Sequence, residues 1–195
     1  MRHLSAQLVR HLQLPLSEQE LIPSIGQILT AVRGRPVRLR KAALPHGTAS
    51  GLWIERAAHD LIVYEENTDR EHQLVIIGHE AWHMFQGGCT STTGHGGAAT
   101  RSQRTAADDT LAGLVAAVSE ADDAGLPPAG RTDADLHFAA RTDTWQIDEE
   151  HEAELFGFRF ATDVQAALSA ARTFADPHDL AGRIQVSMAP RAPRD

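Results

Sequence analysis

Cysteine is nearly missing from this 195-residue chain, which has only Cys89. No intrachain disulfide can form, which fits a reducing compartment. Aromatic residues are also scarce, at 5%, so the core must rest mainly on Leu, Ile, Val and Ala. Positive charge is in short supply: 18 Lys and Arg against 26 Asp and Glu leave a formal net charge of −8. Such a balance spares few cations for phosphates, and direct nucleic-acid binding is not expected. Long hydrophobic runs are missing too. No stretch reaches the roughly 20 apolar residues that cross a bilayer. Residues 1–13 carry neither a long apolar segment nor a small-residue cleavage signal. The expectation is a cytoplasmic protein with no membrane partner.

What is present suits a folded chain. A hydrophobic content of 42% over this length supports one good core, and 1–195 reads as a single domain. Residues 1–36 form a helical N-terminal part. Leu4 to Leu12 suits a short helix, closed off by Pro15. Ser17 and Glu20 have the spacing of a capping box, with Leu16 and Leu21 placed as a hydrophobic staple. Leu21, Ile25, Ile28, Leu29 and Val32 then give a helical stripe, with Pro23 in its second turn, and Gly34 and Pro36 stop it. Val37 and Leu39 alternate with Arg38 and Arg40. Leu52 to Ile54 and Leu61 to Tyr64 are short apolar runs of strand character. These predict a small antiparallel three-stranded sheet against helices. Arg33, Arg35, Arg38, Arg40 and Lys41 make the main basic patch, read as a solvated edge rather than a binding surface.

Further on, Thr68 with Glu71 predicts the cap of a helix over Asp69 to Gln86, ended by Gly87 and Gly88. Residues 87–100 are a Gly, Ser and Thr-rich loop. Thr105 to Ala124 reads as a helix, Leu126 to Asp135 as a linker, and Ile147 to Phe174 as a long helix. Residues 190–195 read as a frayed tail. The fold class is α+β, mainly helical with a small sheet.

Eleven histidines are many for this length, and the chemistry gathers at His79-Glu80-Ala81-Trp82-His83. Histidines four apart stand one turn above each other on one helix face. Their ring nitrogens can converge on one Zn²⁺. Glu80, off to the side, is placed to take a proton from a water activated by the metal and to pass it to a leaving amine. A surface helix with merely polar histidines gives the same letters by chance. The capped, partly apolar helix around the motif argues against that. Gly78 costs this helix about 1 kcal/mol in propensity, which a close approach by another element would explain.

A catalytic zinc usually takes three protein ligands and leaves one position open. The candidates lie in Glu149-Glu150-His151-Glu152-Ala153-Glu154, at the start of the long helix, where acidic residues are also favoured by the helix dipole. Glu150 is the preferred third ligand, and Glu154 and His151 are the alternatives. With Glu150 as ligand, Glu154, one turn on, is placed to orient a ligand histidine through its other nitrogen. His137, His151 and Tyr64 are candidates for holding substrate or an oxyanion, though no spacing selects among them. Cys89 reads as an incidental thiol, His95 as a loop residue, and Trp53, Trp82 and Trp145 as core. His and carboxylate donors suit Zn²⁺ first, and Mn²⁺ or Fe²⁺ as well.

These residues resemble the ImmA/IrrE-type metallopeptidases, a gluzincin-like family. Residues 70–83 look like that family's helix leading into HExxH. Asp60 to Tyr64 is similar to the strand before it, and Glu150 to Gly157 to its second helix. The resemblance spans about residues 37–170, and residues 37–174 are expected to form the metallopeptidase-like core. It implies His79, His83 and Glu150 as zinc ligands and Glu80 as general base. It also implies a protein substrate, a helix-turn-helix repressor encoded nearby, and in some members a toxin–antitoxin-like pairing. Trp82 and Glu154 depart from the family's commoner residues, Gly and Asn or Asp. The alternative function is a catalytically silent metal-binding protein, toxin-like or regulatory, acting by protein–protein interaction.

Overall fold

The computed structural model describes residues 1–14, 16–44, 49–87 and 144–175, with positions 113, 116–118, 120, 122 and 134–135 between them. Cys89, His95, His137 and the tail 190–195 lie outside the described residues. The elements in chain order are helices α1 (Arg2–Arg10) and α2 (Glu18–Arg33), strands β1 (Val37–Ala42), β2 (Gly51–Arg56) and β3 (Asp60–Glu65), helix α3 (Arg70–Gln86), a two-residue strand β4 (Ala134–Asp135) and helix α4 (Thr144–Ala175).

Local chemistry accounts for most of the boundaries. At α2 the Glu20 carboxylate accepts from both the backbone N–H and the hydroxyl of Ser17. The helix ends on Gly34 at φ 77°, a left-handed conformation that glycine adopts without a Cβ penalty. The cap of α3 falls on Asp69 rather than Thr68: its carboxylate accepts the His72 N–H at 2.8 Å. A carboxylate at that position also complements the positive end of the helix dipole. Helix α4 begins three residues earlier than expected. The described positions between 105 and 124 are helical.

The α+β class holds, and the sheet is mixed rather than wholly antiparallel. Its order is β1-β3-β2-β4. Strands β2 and β3 form an antiparallel pair, whereas β1 lies parallel to β3. The reason lies in β3, where Asp60 through Tyr64 are all buried. A strand covered on both faces is best placed in the middle, so β3 inserts between β1 and β2. Strand β4 adds a fourth, short partner to β2. It falls where a linker was expected, because two residues are too few to show alternation.

One sheet face carries Val37, Trp53, Ile62 and Tyr64 into the main core against the helices. The other carries Leu52, Ile54, Leu61 and Val63, covered by Val118. Buried charge is compensated. Asp60 is fully enclosed, with Arg33 at 3.1 Å, Arg35 at 3.6 Å and the Trp53 indole N–H at 3.2 Å. Asp122 sits 2.6 Å from buried His59 and 3.0 Å from Arg38. Burial alone would raise the Asp122 carboxyl, but the hydrogen bonds from Arg38 and His59 bring it below its ordinary value. Much of the basic patch is therefore internal ion pairing.

Helices α3 and α4 meet at two glycines. A Cβ on Gly78 would lie 3.0 Å from the Gly157 Cα, and one on Gly157 would lie 2.5 Å from the Val75 carbonyl oxygen. This close approach accounts for Gly78. We expect Gly157→Ala to destabilise the protein by about 1–3 kcal/mol, the usual cost of overpacking. Gly78→Ala should lose less, since its added Cβ meets its nearest neighbour at 3.0 Å rather than 2.5 Å, and alanine regains about 1 kcal/mol of helix propensity at either position. Chemical denaturation of both variants reads this out. A Gly157→Ala protein as stable as wild type would contradict the crossing.

Candidate metal centre

The site is built on the glycine crossing. Helix α3 presents His79 and His83 on successive turns of one face. Helix α4 passes it closely enough for Glu150, seven residues before Gly157, to meet both. The Nε2 atoms of His79 and His83 are 3.1 Å apart. The two oxygens of Glu150 divide between them: Oε2 lies 3.4 Å from His79 Nε2 and Oε1 lies 3.4 Å from His83 Nε2. The rings meet edge-on, with centroids 4.8 Å apart and an interplanar angle of 62°. Side-chain exposures of 22%, 14% and 17% for His79, His83 and Glu150 leave the cluster accessible from one side.

Neighbouring packing fixes this geometry. Trp82, between the two histidines in sequence, turns inward and packs on Phe156 at a centroid distance of 5.0 Å. Its bulk goes into the core, which directs the histidine face to Glu150. Farther along, Ser5 of α1 donates to Asp163 of α4 at 2.7 Å, and Arg159 holds the same carboxylate.

The donors fit a divalent cation. Three lone-pair donors within 4.8 Å of one another form a group that can hold a metal ion. Bonds of about 2.0–2.1 Å to a tetrahedral zinc imply donor separations of about 3.4 Å; the two imidazole nitrogens are 3.1 Å apart, and each lies 3.4 Å from a different oxygen of Glu150. Burial pushes the His79 imidazole down, but the Glu150 hydrogen bond and the charges of Glu80, Glu150 and Glu154 outweigh it and raise it above 6.5. Glu150 is held far below its ordinary 4.5 by hydrogen bonds from His79 and His83.

Glu80 is buried between the donor pair's helix and strand β2. Its carboxylate accepts the Trp53 backbone N–H. It lies against Gly51 so closely that a Cβ there would come within 2.8 Å of its Oε1. Burial raises this carboxyl above its usual value, the charges of His79 and His83 lower it, and Glu150 raises it. Glu80 therefore senses all three donors.

The other candidates separate clearly. Glu154 is exposed and acts on His79 through its charge, and no hydrogen bond joins the two among the described residues. His151 is exposed and stands outside the cluster. Tyr64 is buried in the core, where burial raises its hydroxyl and Arg70 offsets part of that. It makes no hydrogen bond to the cluster among the described residues. The roles of Gly51, Trp53 and Gly157 were not anticipated from the sequence. A glycine opening an apolar strand marks a close backbone approach, and that signal points to Gly51.

No protein-family model matches this chain, and neither does any curated protein or solved structure. The site itself defines a His–His–Glu cluster suited to a divalent metal, in the HExxH-plus-glutamate arrangement. No helix among the described residues is long and apolar enough to cross a membrane.

Metal binding should show a characteristic pH dependence. In the metal-free protein the raised His79 contributes stability below 6.5, lost as pH rises through its folded value. The depressed Glu150 contributes above 4.5, lost as pH falls through its folded value. Their joint contribution is therefore greatest between 4.5 and 6.5. A metal needs neutral imidazoles, so the thermal stabilisation on adding zinc should grow as pH rises above that window. Thermal melts with zinc or a chelator, across pH, test this. A zinc increment independent of pH would count against the histidine ligands.

Proposed function

We propose that the chain is a zinc-dependent endopeptidase acting on a protein substrate. The observation that carries this reading is Glu80, a buried carboxylate next in sequence to one metal donor and electrostatically coupled to all three. A purely structural zinc site is closed by four ligands and has no use for a neighbouring base. Here three donors are partly exposed, and a proton acceptor on the same helix is held by a strand backbone. When bound, zinc supplies the Lewis acidity that activates water and polarises a carbonyl.

The remaining steps fall to the chain's own groups. His79, His83 and Glu150 hold the ion. The Glu80 carboxylate takes a proton from the attacking water and delivers it to the departing amide nitrogen. Its burial makes it a stronger base than an exposed glutamate. The Trp53 N–H fixes the carboxylate, and Gly51 leaves it room. The resemblance to ImmA/IrrE-type metallopeptidases supports a helix-turn-helix regulator from a neighbouring gene as the substrate, and a cytoplasmic setting.

Glu80→Gln should retain zinc stoichiometry while cleavage of the neighbouring regulator falls by about 10²–10⁴-fold. His83→Ala should lose both zinc and cleavage. Gly51→Ala should keep zinc but slow turnover by displacing the Glu80 carboxylate. Metal analysis with a gel-based cleavage assay reads all three. Equal cleavage by the wild type and Glu80→Gln would remove Glu80 from the mechanism. Zinc binding with no cleavage of the regulator would favour a silent, interaction-based role.

A further inference from the structure

The edge of the sheet away from the metal centre carries an open groove of about 1220 Å³. It runs along β1, with Ile22 and Gln27 of α2 on one wall and Val118 on the other. Among the described residues, strand β1 pairs only with β3. The Asp60 N–H bonds to the Pro36 carbonyl and the Glu66 N–H to the Ala42 carbonyl, so the even-numbered positions of β1 turn their backbone groups toward β3. The alternation leaves the N–H and C=O of Val37, Leu39 and Lys41 facing outward. Those of Val37 are taken by the Thr30 hydroxyl. Leu39 and Lys41 have no such partner among the described residues.

Charge is unevenly spent around this edge. Arg33, Arg35 and Arg38 are committed to Asp60, Glu55 and Asp122. Arg40, Lys41 and Arg70 line the groove and make no ion pair among the described residues. Glu66 is the one acidic side chain among the described lining residues. A net positive groove on a chain of charge −8 is a local inversion. Side chains alternate across the strand, so Arg40 and Lys41 flank the edge from opposite faces.

From this we infer that the β1 edge docks an extended acidic segment of a partner protein by strand addition. The backbone groups of Leu39 and Lys41 supply main-chain hydrogen bonds, and Arg40, Lys41 and Arg70 select carboxylate side chains. The groove exceeds the size of most small-ligand pockets, and its strand edge recognises a polypeptide backbone. This inference is independent of the peptidase reading, since the groove runs along β1 whereas Glu80 lies against β2.

The test uses the whole protein and a labelled peptide of alternating Glu and Val, followed by fluorescence anisotropy. Binding is expected, weakening as salt rises. Combined Arg40→Glu and Arg70→Glu should weaken it by about tenfold or more. Lys41→Pro should weaken it beyond Lys41→Gln, because only proline removes the outward N–H at a tolerated edge position. Glu80→Gln should bind like wild type. The proposal is overturned by any of four results: no binding, equal binding of a Lys-Val peptide, indifference to the charge reversals, or displacement by duplex DNA at lower concentration than unlabelled peptide. The last result would assign the groove to polyanions.

Discussion

Helices α3 and α4 can approach each other closely only because neither has a side chain where they cross. Gly78 and Gly157 stand face to face there, and the Val75 carbonyl sits where a Gly157 Cβ would be. The metal donors depend on this contact. A glutamate side chain is short, and Glu150 reaches His79 and His83 only because α4 lies almost on the surface of α3. The same crossing sets the core, since Trp82 and Phe156 pack beside it. Glycine costs each helix about 1 kcal/mol of propensity. That cost is offset by the helix–helix packing the two glycines permit.

A second constraint comes from the sheet. Strand β2 is part of the site as well as of the core. Its first residue is a glycine that gives Glu80 room, and its Trp53 N–H holds the Glu80 carboxylate. Burial would keep that group protonated if it acted alone. The imidazoles of His79 and His83 oppose this. That carboxyl is thus tuned by three elements: the helix that carries it, the strand behind it and the helix that brings Glu150. Site and fold are linked through a single carboxylate.

Charge shows a similar division of labour. The cluster that reads as a solvated patch in the sequence splits into two populations. Most of its arginines neutralise enclosed carboxylates, where an unpaired charge would be costly. Arg40 and Lys41 remain over, and Arg70 joins them from another element. Sequence adjacency made the five residues look alike. Their partners lie 20 to 84 positions away, which is why no local reading separates them.

Local chemistry determined the described long helices with their ends placed to within about three residues, the three longer strands and the histidine pair, because each depends on residues a few positions apart. Capping, periodicity and the one-turn spacing of His79 and His83 are short-range facts. The sequence also narrowed the third ligand to a short acidic run, with Glu150 first in it. Tertiary structure alone decided that Glu150 rather than Glu154 meets both imidazoles. It also decided that β1 runs parallel to β3, that β4 exists, and that Gly51 and Trp53 hold Glu80. Each of these depends on how elements far apart in the chain pack. Packing is settled by burial and steric fit over the whole core, and no short window of residues records it.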